Sequence, residues 1–199
     1  MNENFISEIT LKKISLGDHI AFREFYDMTY NTVYRFISYF LQNKEDCEET
    51  VSEVYYIIWK QREGLMEIVD FKSWLYVVCR NEAFHCVKQK NKYTNLLIDD
   101  IPIELFVDTT SVEGMMIEEE MLKIYDVAIA ELPERCKLIF LMVREEGLRH
   151  KEIASILSIT EGTIEQQMNI AIKKIVAVVR KYYPGIIRNG FKGFKNYSL

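Results

Sequence analysis

Leu132-Pro133-Glu134-Arg135-Cys136-Lys137 opens a stretch, running to Tyr183, on which the reading of the whole chain turns. Pro133 pre-sets φ for a first helical turn and lacks an N–H that the turn would leave unpaired anyway. Ile139, Met142 and Val143 then recur at helical spacing as far as Gly147, read as a C-cap. A second helix starts near Arg149 with Ile153, Ala154, Ile156 and Leu157 inward, and Ala154 is small where two helices would cross. After a break at Ser158-Ile159, the Thr160 hydroxyl can cap a third helix that carries Ile164, Met168, Ile172, Ile175 and Val179 along one stripe. Periodicity alone describes an ordinary helical hairpin equally well. A short turn leading into a long amphipathic helix is also how a recognition helix is presented to the major groove.

With 199 residues the chain can hold one domain or two, each with a modest core. Hydrophobic content of 49% beside 28% charged residues is globular, and 3 prolines and 8 glycines argue against strand-rich or low-complexity architecture. No apolar run reaches the length of about eighteen residues that a membrane span needs, and the N-terminus lacks the order of a signal peptide. The expectation is a cytoplasmic protein with no membrane insertion. Cys47, Cys79, Cys86 and Cys136 show no metal-type pairing and read as small core hydrophobes, and His19, His85 and His150 are scattered. No G-x-S-x-G, P-loop or H-E-x-x-H occurs, so neither catalytic residues, a metal nor a cofactor is expected.

A net charge of −5 counts against a free-standing DNA binder, since Lys and Arg on phosphate supply most non-specific affinity. The charge is segregated, however. Between Thr94 and Leu122 there is no Lys or Arg while Asp99, Asp100, Glu104, Asp108, Glu113 and Glu118 to Glu120 all fall there. After Glu165 there is no acid, and Lys173, Lys174, Arg180, Lys181, Arg188, Lys192 and Lys195 follow. A basic end behind an acidic middle suits a protein whose DNA affinity depends on a partner.

In the first half, Asp18 can cap a helix in which Phe22, Phe25, Tyr26, Val33, Phe36, Ile37 and Phe40 form a core stripe. Asn43 opens the next helix, with Cys47, Val51, Val54 and Ile58 inward. Glu49, Ser52, Glu53 and Tyr56 share another face at helical spacing. Gly64 to Asp70 reads as a loop. It leads into Phe71-Lys72-Ser73-Trp74-Leu75-Tyr76-Val77-Val78-Cys79-Arg80-Asn81, whose buried stripe is Phe71, Leu75, Val78, Cys79, Ala83 and Cys86. Asn81, His85, Lys88 and Lys92 lie along a different, polar-basic face, and charge beside aromatics is what single-stranded DNA requires.

Four blocks in the second half, Leu132-Pro133-Glu134-Arg135, Glu146-Gly147-Leu148, Lys151-Glu152-Ile153-Ala154 and Glu161-Gly162-Thr163-Ile164, stand at the spacings of the promoter-recognition domain of bacterial sigma factors, region 4. Asp46-Cys47-Glu48-Glu49-Thr50-Val51-Ser52-Glu53-Val54-Tyr55 resembles the part of sigma region 2 that docks on the clamp helices of the RNA polymerase beta-prime subunit, and the Trp74 segment resembles its promoter-melting helix. The chain thus resembles the sigma-70 family, in its small extracytoplasmic-function class. That resemblance implies an all-α fold with region 2 over 1–93, an acidic linker over 94–117, region 4 over 118–184 and a basic tail over 185–199. It implies core-polymerase contacts from Asp46, Glu49, Ser52, Glu53 and Tyr56. Minus-10 DNA would fall to Ser73, Trp74, Tyr76, Arg80 and Asn81, extended by His85, Lys88 and Lys92. Minus-35 DNA would fall to Lys151, Thr160, Glu161, Thr163, Gln166, Gln167, Asn169, Lys173 and Lys174. The implied partners are core RNA polymerase, promoter DNA and an anti-sigma protein. The implied function is non-catalytic: directing polymerase to promoters and opening them.

The chain departs from the family pattern at several positions. Ser52 replaces the usual Gln and Cys79 a common Ala, while Ser158 stands where the turn commonly has Gly. Glu165, Gln167 and Ile170 sit where Lys or Arg is usual, leaving base reading to amides, which pair bidentately with adenine for about 1–3 kcal/mol each. Weak intrinsic promoter affinity follows, and a stand-alone regulator or a sequestering decoy with the same fold is the alternative reading.

Overall fold

The computed structural model describes residues 6–90 and 124–182. Lys92, the linker, the start of the region 4 span at 118–123 and the basic tail lie outside the described residues. Among those described, every regular element is helical.

Helix α1 (Glu8–Ser15) is capped by Ser7, whose hydroxyl accepts from the Thr10 N–H at 3.1 Å. Gly17, at φ +85°, turns the chain into Asp18 in a conformation L residues resist. The Asp18 carboxylate then accepts from the N–H groups of Ile20 and Ala21 at 2.9 and 3.1 Å, starting α2 (His19–Ser38). Asn43 caps α3 (Lys44–Lys60) by accepting from the Asp46 N–H at 3.1 Å. A fourth helix, α4 (Phe71–Lys90), completes the first bundle, with α2, α3 and α4 in mutual contact.

The buried stripe of each helix follows the apolar spacing. Phe25, Val33, Phe36 and Ile37 of α2 meet Cys47, Val51, Val54 and Ile58 of α3 and Phe71, Leu75, Cys79 and Ala83 of α4. Full burial of one such large side chain stabilises by about 1.5–3 kcal/mol, so this layer sets the bundle's stability. Thr29 is buried among these apolar residues and is satisfied there: its hydroxyl donates to the Phe25 carbonyl at 2.7 Å and lies 2.8 Å from the Tyr55 hydroxyl. The segment read as a loop from Gly64 holds a 3-10 helix, Arg62–Glu67, because Leu65 is drawn into the core and is 1% exposed.

The second half begins with α5, helical over 124–130, which buries Ala128 and Ile129. Helix α6 (Glu134–Arg144) follows Pro133 as the sequence predicts. Past its end, Gly147 at φ +59° reverses the chain, and the Leu148 N–H donates to the Met142 carbonyl at 3.1 Å. Helix α7 (His150–Leu157) buries Ile153, Ala154, Ile156 and Leu157, the four residues expected. Its first turn is held by Glu152, which accepts from the Arg149 N–H at 2.6 Å and from the Arg149 guanidinium at 2.8 Å. Ser158 then adopts the left-handed conformation at φ 56°, the geometry for which Gly is the common choice. Thr160 caps α8 (Glu161–Tyr182), accepting from the Thr163 N–H at 3.1 Å. The buried stripe of α8 is Ile164, Ala171, Ile175 and Val179, with Met168 and Ile172 partly covered. Helix α8 packs across α6 and α7.

Candidate nucleic-acid interface

Three surfaces carry the expected site residues. The first is the outer face of α3. Burying Cys47, Thr50, Val51, Val54 and Tyr55 turns Glu49, Ser52, Glu53 and Tyr56 outward, and all four are exposed, Tyr56 to 59%. Asp46, at the start of the same face, is only partly exposed and forms an ion pair with Lys90 at the end of α4. The surface is acidic, with one large aromatic standing in solvent.

The second surface is α4. Asp70 accepts from the Ser73 N–H at 3.0 Å and the Ser73 hydroxyl at 2.7 Å, fixing the helix start and occupying Ser73 locally. Trp74 is half-buried against the Phe71 ring, centroids 5.6 Å apart, and keeps part of its face in solvent. Asn81, His85 and Lys88 are exposed as expected. Tyr76 departs from the expected exposure: it is 2% exposed, packed with the core stripe and with its hydroxyl on Glu146. Its position follows from Cys79, three residues on, which belongs to the same buried stripe.

Arg80 stands at the junction with the second half. Its guanidinium donates from Nη1 to the Ile156 carbonyl, at the end of α7, and to Ser158 Oγ at 3.2 Å, while Nη2 donates to Asn81 Oδ1 at 2.7 Å. Arg80 thereby supplies a donor to a carbonyl that the helix terminus leaves unpaired. Burial of the guanidinium lowers its pKa from the ordinary arginine value.

The third surface is the α7–α8 pair. Lys151, Thr160, Glu161, Gln166, Asn169, Lys173 and Lys174 are exposed, and Thr163 is partly covered by its contact with the Thr160 cap. Gln167 is partly buried, its Oε1 accepting from the Cys136 thiol at 2.8 Å, so one end of that amide is turned inward.

Sequence reasoning missed Glu146. Read only as part of a motif before Gly147, its side chain is wholly buried, enclosed by residues of α2 and α4. Oε1 accepts from Arg35 Nε at 2.8 Å and the Tyr39 hydroxyl at 2.8 Å, and Oε2 accepts from Arg35 Nη2 at 3.0 Å and the Tyr76 hydroxyl at 2.8 Å. Lys72 Nζ donates to the Glu146 carbonyl at 3.1 Å. No local signal announces this, because Arg35, Tyr39 and Tyr76 are 111, 107 and 70 positions away.

Burial, and then the neighbouring Glu146 carboxylate, push the phenols of Tyr39 and Tyr76 well above the ordinary value of about 10, and burial does the same to Tyr55. A raised folded-state pKa contributes stability that is complete below the unfolded value and is lost as pH rises through the folded one. In a phenolate absorbance titration, at least three of the 12 tyrosines should therefore fail to ionise near pH about 10, and should ionise only as helix content collapses. One smooth titration of all of them with the helices intact would refute the placement of these hydroxyls.

Residues 25–93 match the family model described as Sigma-70 region 2, and residues 122–175 match Sigma-70, region 4; together these cover more than half of the chain. The chain is similar to the ECF RNA polymerase sigma factor SigM of Bacillus subtilis, with 25% identity over 159 residues, 79% of this chain and 94% of the relative. It is also similar to SigW of the same organism, 20% identical over 166 residues, 80% of this chain and 89% of the relative. Among solved structures, CnrH in complex with the cytosolic domain of CnrY has a TM-score of 0.54 at 14% identity, covering 87% of this chain and 96% of that one. The sigma factor RpoE of Bartonella quintana, in complex with the anti-sigma factor NepR, has a TM-score of 0.55 at 14% identity, covering 80% and 96%. At that identity the two structures speak for the fold.

Proposed function

The chain belongs to the sigma-70 family, in its extracytoplasmic-function class, and from that premise we propose that it recruits core RNA polymerase to a specific set of promoters and opens them. The acidic outer face of α3, with Asp46, Glu49, Ser52, Glu53 and Tyr56, meets the clamp helices of the beta-prime subunit. Electrostatic complementarity there speeds encounter and fixes register. Trp74, Arg80, Asn81, His85 and Lys88 take up the unstacked minus-10 strand, the cations on phosphate and the indole on a base. Lys151, Thr160, Glu161, Thr163, Gln166, Gln167, Asn169, Lys173 and Lys174 form the minus-35 contact, in which the amides of Gln166 and Asn169 read base edges and the lysines hold phosphate. RNA synthesis belongs to the polymerase; this chain supplies binding energy that holds strands apart. An anti-sigma protein is a further expected partner, since both structural neighbours were solved with a protein of that kind or with a partner's cytosolic domain.

The observation that carries this reading is the co-occurrence, in one chain, of an exposed acidic α3 face and a half-exposed Trp74 beside a polar-basic face. Transcription with core polymerase on fragmented genomic DNA tests it. Adding the chain should produce transcripts with a small set of discrete 5′ ends that core alone does not make. Inhibition, or an unchanged 5′-end pattern, would refute promoter opening and favour a sequestering decoy, the alternative that the amide-rich outer face of α8 supports.

A further inference from the structure

The carboxylate of Glu146 links the two domains. Both of its oxygens are taken, each by one guanidinium nitrogen and one phenol, and none of its side chain reaches solvent. The fork of Arg35 and the two hydroxyls converge from α2 and α4 of the first domain on a residue of the α6–α7 turn in the second. Bidentate guanidinium geometry matches the two oxygens of a carboxylate and adds geometric specificity to the charge pairing. The Phe36 ring stands edge-on to both Tyr39 and Tyr76, at centroid distances of 5.9 and 4.6 Å, and so fixes their orientation from within the core. The two phenols are therefore oriented by the packing of the first domain, and the Arg35 guanidinium reaches the carboxylate from the edge of the seam, 44% exposed.

Two more contacts close the same seam. Lys72 donates to the Glu146 carbonyl, and Arg80 donates to Ile156 O and Ser158 Oγ. Arg80 is one of the minus-10 residues of the proposed function, so in this arrangement it is spent on the end of α7. Geometry adds a second obstacle. The minus-10 and minus-35 elements are by name roughly 25 base pairs apart, about 85 Å of duplex at about 3.4 Å per pair. Two domains in direct contact, in a chain whose compact radius of gyration is about 16 Å, cannot reach both.

We propose that Arg35, Tyr39 and Tyr76 form a receptor for a carboxylate side chain, that its occupant is Glu146 of the second domain, and that this engagement holds the free chain closed until polymerase separates the domains. The receptor is independent of what the protein does; its inhibitory consequence rests on the sigma-factor reading. Seating on the polymerase would draw the two domains apart, empty the receptor and release Arg80 for DNA.

Small-angle scattering of the full chain, without polymerase or DNA, tests the receptor. Glu146→Ala and Arg35→Ala should each raise the radius of gyration by several ångströms over the unaltered chain, with helix content unchanged by circular dichroism. If either variant loses helix, the paired Tyr39→Phe and Tyr76→Phe substitutions, which remove only two hydroxyls, carry the test with the same expected expansion. Unchanged dimensions in the folded variants, or an unaltered chain already as extended as they are, would overturn the receptor. Binding to core polymerase then tests the inhibitory role. A chain that is mostly closed shows an apparent Kd weakened by its open fraction, so Glu146→Ala should bind about tenfold or more tightly. Expansion without any gain in core affinity would overturn that role and leave the sigma-factor reading intact, whereas failure of the unaltered chain and the variant alike to bind core would count against the sigma-factor reading and not against the receptor.

Discussion

Phe36→Ala is expected to destabilise the first domain by about 3–5 kcal/mol, the cost of emptying a site that held a fully buried aromatic. Phe36 is 0% exposed and touches three other rings, those of Tyr39, Phe40 and Tyr76, at centroid distances of 5.9, 5.4 and 4.6 Å. No neighbour in such a layer can collapse into the void without breaking another edge-to-face pair. Against a total stability of about 5–15 kcal/mol this is a large fraction, and it should lower the melting temperature of the first domain by about 10 °C or more. Calorimetry of the full chain reads it directly. A loss under about 1 kcal/mol would mean that the aromatic layer is not the packing unit described.

The largest expected effect on function comes from Glu49→Lys combined with Glu53→Lys. The two carboxylates lie one turn apart on the exposed side of α3, where substitutions normally change stability by no more than about 0.5 kcal/mol. Against the polymerase surface complementary to this acidic face that is proposed above, however, reversed charges create repulsion costing several kcal/mol, about a hundredfold or more in Kd at about 1.4 kcal/mol per tenfold. The loss should be greatest at low salt and shrink as salt screens it. Equilibrium binding to core polymerase across a salt series measures this. An unaltered Kd would remove the α3 face from the interface.

What was legible in the sequence was local. Pro133, Asp18, Asn43 and Thr160 announced helix starts because each acts within three residues of itself, and all four stand at helix starts in the structure. The buried residues of α7 were read without error because an apolar stripe at 3.6-residue spacing needs no knowledge of what covers it. The outward face of α3 followed by subtraction. The burial of Tyr76 was not legible because an aromatic beside Trp74 suits either a stacking platform or a core, and only the path of α2 across α4 brings the Phe36 ring against it. Leu65 was missed because it stands in a short apolar run with Met66, Ile68 and Val69, whose spacing gives no period to mark which member is drawn inward. The Glu146 receptor was invisible, since its donors come from two helices far away in sequence. Arg35 and Tyr39 both fell outside the stripe assigned to α2. Ser158 was noted as a departure from Gly, but its left-handed backbone and its hydroxyl's contact with Arg80 emerged only from the fold.

The most direct measurement is the association of the purified, unaltered chain with core RNA polymerase in the absence of any inhibitor, followed by size-exclusion chromatography or calorimetry. A sigma factor with the exposed α3 face described must form a stable one-to-one complex that displaces other sigma factors from the same core. A chain that passes core polymerase without binding, at concentrations well into the micromolar range, would contradict its assignment as an initiation subunit.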